Sequence, residues 1–163
     1  MKLTTQNFGE IEINQEDIIN FNDGLPGFVN AKGFVIMLQE DDNQDQSPIC
    51  FLQSTDDGEL CFVLVDMTVF LPEYVPLVLL ELAKEDRENF DPDNTMVYNI
   101  ATIYDELTES TVNLKAPIVV NLAQKSGRQF LCAGDDFPIR AKLFNPTQNC
   151  DCDCSCERSG DKC

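Results

Sequence analysis

Short apolar runs separated by turn-forming residues make up most of the 163-residue chain. In residues 9–13 polar and apolar side chains alternate, which indicates a strand with one buried face. Residues 49–54 and 60–65 flank an Asp57-Gly58 step that is typical of a β-hairpin. Further strands are predicted at residues 18–21, 34–38, 96–103, 110–114, 118–121 and 129–132. Turn signals about every 8–12 residues predict a mainly β fold, either a sandwich or a barrel.

One stretch of the chain has the spacing of a helix rather than that of a strand. Its apolar residues recur at helical intervals among charged ones, and they are Leu79, Leu82, Ala83 and Phe90. The pattern ends at Asp91-Pro92, because the residue before a proline avoids the α region. We therefore expect one short helix within residues 79–90.

Acidic side chains outnumber basic ones along the whole chain. There are 29 Asp and Glu residues against 11 Lys and Arg residues, and the formal net charge is −18. This charge either keeps the protein soluble or steers it towards a basic partner. Direct nucleic-acid binding is not expected, because phosphate contacts need clustered Lys and Arg, and here the basic residues are scattered singly.

Several classes of function are disfavoured by what the sequence lacks. It contains no histidine, the commonest general base and metal ligand, and no phosphate-binding glycine motif. We therefore expect a binding protein rather than an enzyme, with no cofactor. No apolar run reaches the roughly 18 residues of a membrane span. Because the N-terminus also lacks the apolar core of a secretory signal, we expect a cytoplasmic protein without membrane contact.

The eight cysteines fall into two groups. Cys50, Cys61 and Cys132 lie in apolar, strand-like runs and are interpreted as small buried hydrophobic residues. The other five lie close to the C-terminus and are Cys150, Cys152, Cys154, Cys156 and Cys163. Thiolates at this spacing could chelate a soft metal such as Zn²⁺ or Cu(I), although the spacing is not that of a zinc knuckle. The alternative is a disordered, oxidisable tail with no fixed ligand.

The apolar pattern of the chain stops before these cysteines. The segment Asn-Pro-Thr-Gln-Asn at residues 145–149 has the composition of a linker. The sequence therefore predicts a folded domain over residues 1–145 and a disordered, Cys-rich tail over residues 146–163.

Four motifs of the chain occur in the order and spacing of a known family. They are FNDGLPGF at residues 21–28, PICFLQS at 48–54, FVLVD at 62–66 with FLPEY at 70–74, and TVNLKAPIVVN at 111–121. On these motifs the chain resembles the FliW family of bacterial flagellar assembly factors over roughly residues 3–144. Two positions depart from the family pattern: Val29, where an acidic residue is usual, and Met67, where a proline is usual.

The resemblance implies a small cytoplasmic β-barrel-like protein that is not an enzyme and that binds two other proteins. One is flagellin, which is held before export. The other is the translational regulator CsrA, whose repression of flagellin synthesis is relieved by the binding. An acidic surface would suit a basic, RNA-binding partner of this kind. A chaperone-like holder of flagellin without the CsrA role, and a metal- or redox-responsive protein acting through the tail, are the alternatives.

Two groups of residues are candidates for partner contact. Phe70, Tyr74 and Leu77 lie in the most apolar stretch outside a predicted strand, residues 70–82. They are expected either to contact a partner or to pack in the core. Asn113 and Asn121 flank a strand, where asparagine is disfavoured, so they are expected either to hold a turn or to contact a partner.

The GLPGF motif is expected to form a rigid turn, because glycine adopts backbone angles that other residues resist and proline fixes φ. Its residues are Gly24, Leu25, Pro26, Gly27 and Phe28. The aromatic rings of Phe21, Phe28 and Phe34, in and around the motif, are expected in the core.

The tail is expected to add little to the stability of the domain. It contains no apolar residue apart from its cysteines, so a chain that ends at Asn145 should keep its melting temperature to within a few degrees. Calorimetric melting of the full and the shortened chain measures this. A large loss of stability on shortening would show that the tail packs on the domain or staples it.

Overall fold

Eleven strands and two α-helices form within the residues that the computed structural model describes, which are 1–40, 46–133 and 136–144. The strands are β1 (Lys2–Thr5), β2 (Gly9–Glu12), β3 (Ile19–Asn20), β4 (Gly33–Glu40), β5 (Gln46–Ser54), β6 (Cys61–Val65), β7 (Thr95–Thr102), β8 (Thr111–Val112), β9 (Ile118–Asn121), β10 (Ser126–Gln129) and β11 (Ala141–Lys142). The helices are α1 (Met67–Phe70) and α2 (Tyr74–Glu85). The predicted tail and its boundary at residue 145 lie outside the described residues.

Strand β7 closes the main sheet into a barrel, because it is paired along both of its edges. One edge pairs with β6, through Asn99↔Val65, and the other pairs with β9, through Thr95↔Asn121. The closed ring runs β7-β6-β5-β4-β3-β10-β9 and returns to β7. Its pairings are antiparallel except at β3–β10, where the parallel pair Asn20↔Ser126 joins an early strand to a late one. The predicted mainly β, barrel-like fold is confirmed.

Two smaller pairs of strands are attached to this barrel. Strands β8 and β11 extend the sheet from the C-terminal half of β7, through Ala101↔Val112. Strands β1 and β2 form a separate hairpin, which contacts the barrel where the rings of Phe8 and Phe51 meet edge to face at 5.2 Å.

Alternation of side chains along the strands divides the apolar residues between two cores. Leu64, Tyr98 and Ile118 belong to the barrel interior, together with Phe21 and Phe34, whose rings meet edge to face at 4.9 Å. Their sequence neighbours face the other way and form an outer core beneath α2, and these neighbours are Val65, Val97 and Val119. Phe21 and Phe34 are therefore core residues, as predicted.

Helix α2 covers the outer core with one face. Tyr74, Val78 and Leu82 are buried, and their four-residue spacing places them on one side of the helix. Leu77 and Leu80 lie outside this buried face and are exposed. Neither helix in the described part of the chain is long and apolar enough to cross a membrane.

The helical region differs from the predicted one. The sequence predicts one helix within residues 79–90, whereas α2 begins earlier, at Tyr74, and a short helix α1 precedes it. Pro76 is tolerated because it lies in the first turn of α2, where backbone N–H groups have no partner within the helix. The short α1 is capped by the Asp66 carboxylate, which accepts a hydrogen bond from Thr68 N at 3.0 Å.

The last hairpin also differs from the prediction, whereas the central one forms as expected. The sequence places a strand at 129–132, but β10 spans Ser126–Gln129 and pairs with β9 from Ser126↔Asn121 to Gln129↔Ile118. The turn falls just before it, where Lys125 adopts a left-handed φ of 51°. The hairpin around Asp57-Gly58 joins β5 to β6, with Gln53↔Cys61 as the pair closest to the turn.

Candidate partner-binding surface

The GLPGF motif folds into a tight turn with a fixed backbone. Phe28 N donates to Leu25 O at 2.7 Å across Pro26-Gly27, and Gly27 has a φ of +84°. Proline in the second position and a left-handed glycine in the third define a type II turn. Gly24 also has a positive φ, and a Cβ atom there would come within 2.7 Å of Phe28 O. Only glycine therefore fits at position 24.

Side chains of this turn divide between the core and the surface. Leu25 is buried, whereas Phe28 and the following Val29 are exposed. The Phe28 ring is supported from one side by the Phe62 ring, at a centroid distance of 5.5 Å. The expectation that Phe28 lies in the core is therefore wrong, because the turn directs its ring outwards on a rigid backbone.

The outward face of α2 carries apolar residues among charged ones. Leu77 is 47% exposed and Leu80 is 54% exposed, and residues three apart on a helix lie on the same face. Val69, in the adjacent α1, is 63% exposed. The charged residues at the start of α2 and along it are Glu73, Glu81, Lys84 and Glu85. We call the face formed by Leu77 and Leu80 the helix surface.

Tyr74, predicted either as a contact residue or as a core residue, lies in the core. It is 1% exposed, and its ring meets the Phe137 ring edge to face at 5.0 Å. Its Oη donates to Leu114 O at 2.6 Å and accepts from Asn99 Nδ2 at 2.9 Å. Burial raises the pKa of the Tyr74 hydroxyl, which therefore stays protonated and donates. A structural role replaces the predicted contact role at this position.

Phe70 and Leu77 complete the predicted apolar stretch. Phe70 is half-buried and meets Phe144 edge to face at 5.8 Å, so it packs against the outer core and shows only part of its ring. Leu77 is exposed, as a contact residue must be. Leu80 was missed by sequence reasoning. Its three-residue spacing from Leu77 would have revealed it, had the start of the helix been placed at Tyr74.

Asn113 and Asn121 hold the turns on either side of β9. The Asn113 Oδ1 accepts hydrogen bonds from the backbone N–H groups of Lys115 and Ala116, both at 3.1 Å. The Asn121 Oδ1 accepts from Gln124 N at 2.9 Å. An Asn side chain commonly accepts hydrogen bonds from the backbone of a turn. These bonds correspond to one of the two roles predicted for each asparagine, that of holding a turn.

A polar cleft of about 250 Å³ lies between the end of α2 and the β9–β10 turn. Asn121 and Arg128 line it. The Arg128 guanidinium donates to Glu85 Oε1 at 2.9 Å and lies 5.2 Å from the centre of the Phe130 ring. Because its principal polar groups already bond to residues of this chain, we do not assign a ligand to the cleft.

The cysteines that the structure describes are protonated thiols. Cys50 and Cys132 are buried, and Cys61 is half-buried. Burial raises the pKa of Cys50 to about 12 and that of Cys132 to about 11. Since the thiolate is the form that reacts and binds metal, these residues act as small apolar side chains at neutral pH.

No group of three or more His, Cys, Asp or Glu side chains is arranged to hold a metal ion in residues 1–40, 46–133 and 136–144. The metal-site hypothesis concerns Cys150, Cys152, Cys154, Cys156 and Cys163. All five lie outside the described residues, so this hypothesis stays a prediction.

Negative charge dominates the surface. In the described ranges, three ion pairs are formed, by Arg128–Glu85 at 2.9 Å, Lys142–Glu109 at 2.8 Å and Lys2–Glu10 at 3.9 Å. These pairs are exposed and contribute little to stability. Because each ion pair joins equal and opposite charges, these pairs leave the net charge of −18 unchanged, and it acts on approaching molecules.

The fold is a small closed β-barrel with one covering helix, and it carries exposed apolar residues on a turn and on a helix face. A crystal structure of the flagellar assembly factor FliW is similar, with a TM-score of 0.72 and 29% sequence identity; the match covers 89% of this chain and 98% of that chain. The family model described as FliW protein matches residues 2–143. The chain therefore belongs to the FliW family.

Curated relatives match nearly the whole chain. The flagellar assembly factor FliW of Desulfitobacterium hafniense (strain DSM 10664 / DCB-2) is 41% identical over 148 residues, which is 91% of this chain and 94% of that protein. The flagellar assembly factor FliW of Thermoanaerobacter pseudethanolicus is 34% identical over 149 residues, which is 91% of this chain and 97% of that protein. The resemblance found in the sequence is confirmed, and the protein is a flagellar assembly factor.

Removal of the Tyr74 hydroxyl is expected to destabilise the domain without changing its surface. Tyr74→Phe removes the hydroxyl that bonds to Leu114 O and Asn99 Nδ2, so these two buried groups lose a hydrogen-bond partner. The free energy of unfolding, measured by urea denaturation, should therefore fall by about 1–3 kcal/mol. The matched control is Leu80→Ala, at an exposed position of the same helix, which should change it by less than about 0.5 kcal/mol. Equal stability of Tyr74→Phe and the unmodified protein would contradict this role.

Proposed function

We propose that the protein binds flagellin and a CsrA-type translational regulator in the cytoplasm, and that it relieves the repression of flagellin synthesis once flagellin has been exported. Membership of the FliW family supports the proposal, because the family resemblance implies both partners. The structural observation that carries it is the helix surface, where Leu77 and Leu80 are exposed on a strongly acidic protein. Exposed apolar side chains rimmed by polar ones are typical of protein contacts.

Flagellin is the proposed partner of the helix surface. Flagellin chains have long apolar helices at their ends, which stay unpaired until the filament assembles, and a holder must cover them with apolar side chains. Leu77 and Leu80 suit this task because α2 is held from beneath by Tyr74 and Val78. A surface that is already rigid loses little conformational entropy on binding.

The CsrA-type regulator is proposed to be attracted by charge. A protein that binds RNA phosphates needs a basic surface. The net charge of −18 would steer such a protein towards this one.

A flagellin holder without a regulator is the second candidate function. The helix surface by itself favours it, because apolar contact serves flagellin binding and needs no second partner. Titration with the purified CsrA-type regulator of the same organism separates the two candidates. Binding of the regulator supports the regulatory function, whereas absence of binding supports a protein that only holds flagellin.

Replacement of the two exposed leucines is expected to weaken flagellin binding. Leu77→Gln with Leu80→Gln keeps the net charge and the helix propensity, yet removes the apolar contact. Binding of purified flagellin should weaken at least about tenfold, which is 1.4 kcal/mol. Calorimetric titration measures binding, and circular dichroism checks that the melting temperature is retained.

The matched control for this variant is Leu107→Gln, since Leu107 is an exposed leucine in the 3₁₀ turn at Leu107–Glu109. It should bind flagellin as the unmodified protein does. Full binding by the double variant with an intact fold would exclude the helix surface as the flagellin site.

The affinity for the CsrA-type regulator is expected to fall as salt rises. Exposed charges interact over about 10 Å at 0.1 M ionic strength but only about 3 Å at 1 M. Titration between 0.1 M and 1 M ionic strength should show this fall in affinity for the regulator. The affinity for flagellin, which is bound through apolar side chains, should change less. An affinity for the regulator that stays constant across the range would contradict the electrostatic part of the proposal.

A further inference from the structure

The barrel has an open slot beside β4. Strand β3 covers only the first two residues of β4, through Asn20↔Gly33 and Ile19↔Phe34, while β4 continues to Glu40. The chain ahead of β3 leaves the sheet in a 3₁₀ turn at Gln15–Asp17. Beyond Phe34, this edge of β4 has no strand partner among the described residues.

Main-chain groups of β4 point into this slot. In an antiparallel sheet, successive residues direct their N–H and C=O groups to opposite edges. Thr55 N donates to Gly33 O at 2.9 Å, so the odd-numbered residues of β4 bond to β5. Ile36 and Leu38, which alternate with them, therefore direct their N–H and C=O groups towards the uncovered edge.

Apolar side chains line the slot, and charged ones stand at its rim. A cavity of about 300 Å³ follows residues 35–38, and Ile13, Tyr98 and Leu122 contribute apolar atoms to its walls. Leu38 is 60% exposed. The charged residues that line the cavity are Glu12, Asp17 and Lys125. The slot is therefore apolar inside, with an excess of negative charge at its edge.

Within residues 35–38, the uncovered edge itself carries no lysine, proline or bulge. Soluble proteins block exposed strand edges with lysine, proline or a bulge. Residues 35–38 read Val-Ile-Met-Leu, and the irregularity in the β4–β5 register comes only after Leu38. An edge of this kind is a template for one more strand.

We propose that the slot beside β4 binds an extended segment of a partner protein as an additional strand, and that this segment alternates apolar with basic side chains. Its main chain pairs with the N–H and C=O groups of Ile36 and Leu38, and its apolar side chains enter the slot. Residues 35–38 span about 13 Å, which suits a segment of about four to six residues.

The charge of the protein selects this partner over a second copy of the chain. Two of the three charged residues at the slot are acidic, and the whole chain carries −18. A second copy brings the same negative charge, whereas a basic segment is attracted. The site is distinct from the helix surface, so it goes beyond the function proposed above and can be tested without flagellin or a CsrA-type regulator.

A synthetic peptide tests the proposal on the full chain. The probe is a capped, fluorescent peptide of alternating lysine and valine, about six residues long, so that it spans the slot. Anisotropy should show saturable binding. The same peptide with N-methylated backbone nitrogens, and a glutamate–valine peptide, should each bind at least about tenfold more weakly. Absence of binding by the lysine–valine peptide, or equal binding of the N-methylated one, would overturn the proposal.

Variants of β4 test whether the probe peptide binds at this edge. Ile36→Pro removes an N–H group that faces the slot and leaves the bonds to β5, so it should weaken probe binding at least about tenfold, whereas Ile36→Val should not. Leu38→Lys, at an exposed position, adds a positive charge and should have the same effect as Ile36→Pro even if the proline variant fails to fold. Unchanged binding by Leu38→Lys would place the peptide elsewhere and overturn the proposal. Sedimentation that shows a dimer of the unmodified chain, abolished by Leu38→Lys, would identify a second copy as the occupant instead.

Discussion

Pairing of β7 along both edges shapes the rest of the molecule. With β6 on one edge and β9 on the other, the sheet is closed and both faces of β7 are covered, by the barrel interior and by α2. The buried apolar side chains of β7 are therefore divided between the two cores. Asn99, in the middle of this strand, donates to Tyr74 Oη at 2.9 Å and to Asn113 O at 2.8 Å. Those bonds fasten α2, and the turn before β9, to the strand that closes the barrel.

Local signals in the sequence predicted most of the strands and the central hairpin, because a two-residue period and an Asp-Gly turn depend only on neighbouring residues. Closure could not be predicted in this way. The parallel pair Asn20↔Ser126 joins residues far apart in sequence, and nothing in either strand specifies the other. The start of α2 was misplaced for a different reason. Pro76 suggests a break in a helix, yet it is harmless in the first turn.

Candidate contact residues were harder to predict than the strands. Tyr74 and Leu77 are neighbours in one apolar stretch, and composition does not distinguish them. Which of the two side chains is buried can be predicted only when the start of the helix is known, because the same turn of α2 directs Tyr74 to the core and Leu77 to solvent. The exposure of Phe28 could not be predicted from composition either, because the type II turn determines the direction of its ring. The open edge of β4 depends on the shortness of β3, which no local pattern reveals.

The two-residue strand β3 also has a consequence for a chain that is still being made. Strands β4, β5 and β6 are consecutive and can pair with one another as soon as they leave the ribosome. Strand β3 can pair with β4, and β7 with β6, but the other edge of β3 must wait for β10 and that of β7 for β9. The ring therefore cannot close until nearly the whole domain has been synthesised. Pairing between such distant segments is slow, because the loop entropy is lost before the contacts form. The barrel is therefore completed by β9 and β10, which are translated late, and until then its earlier strands can form only an open sheet.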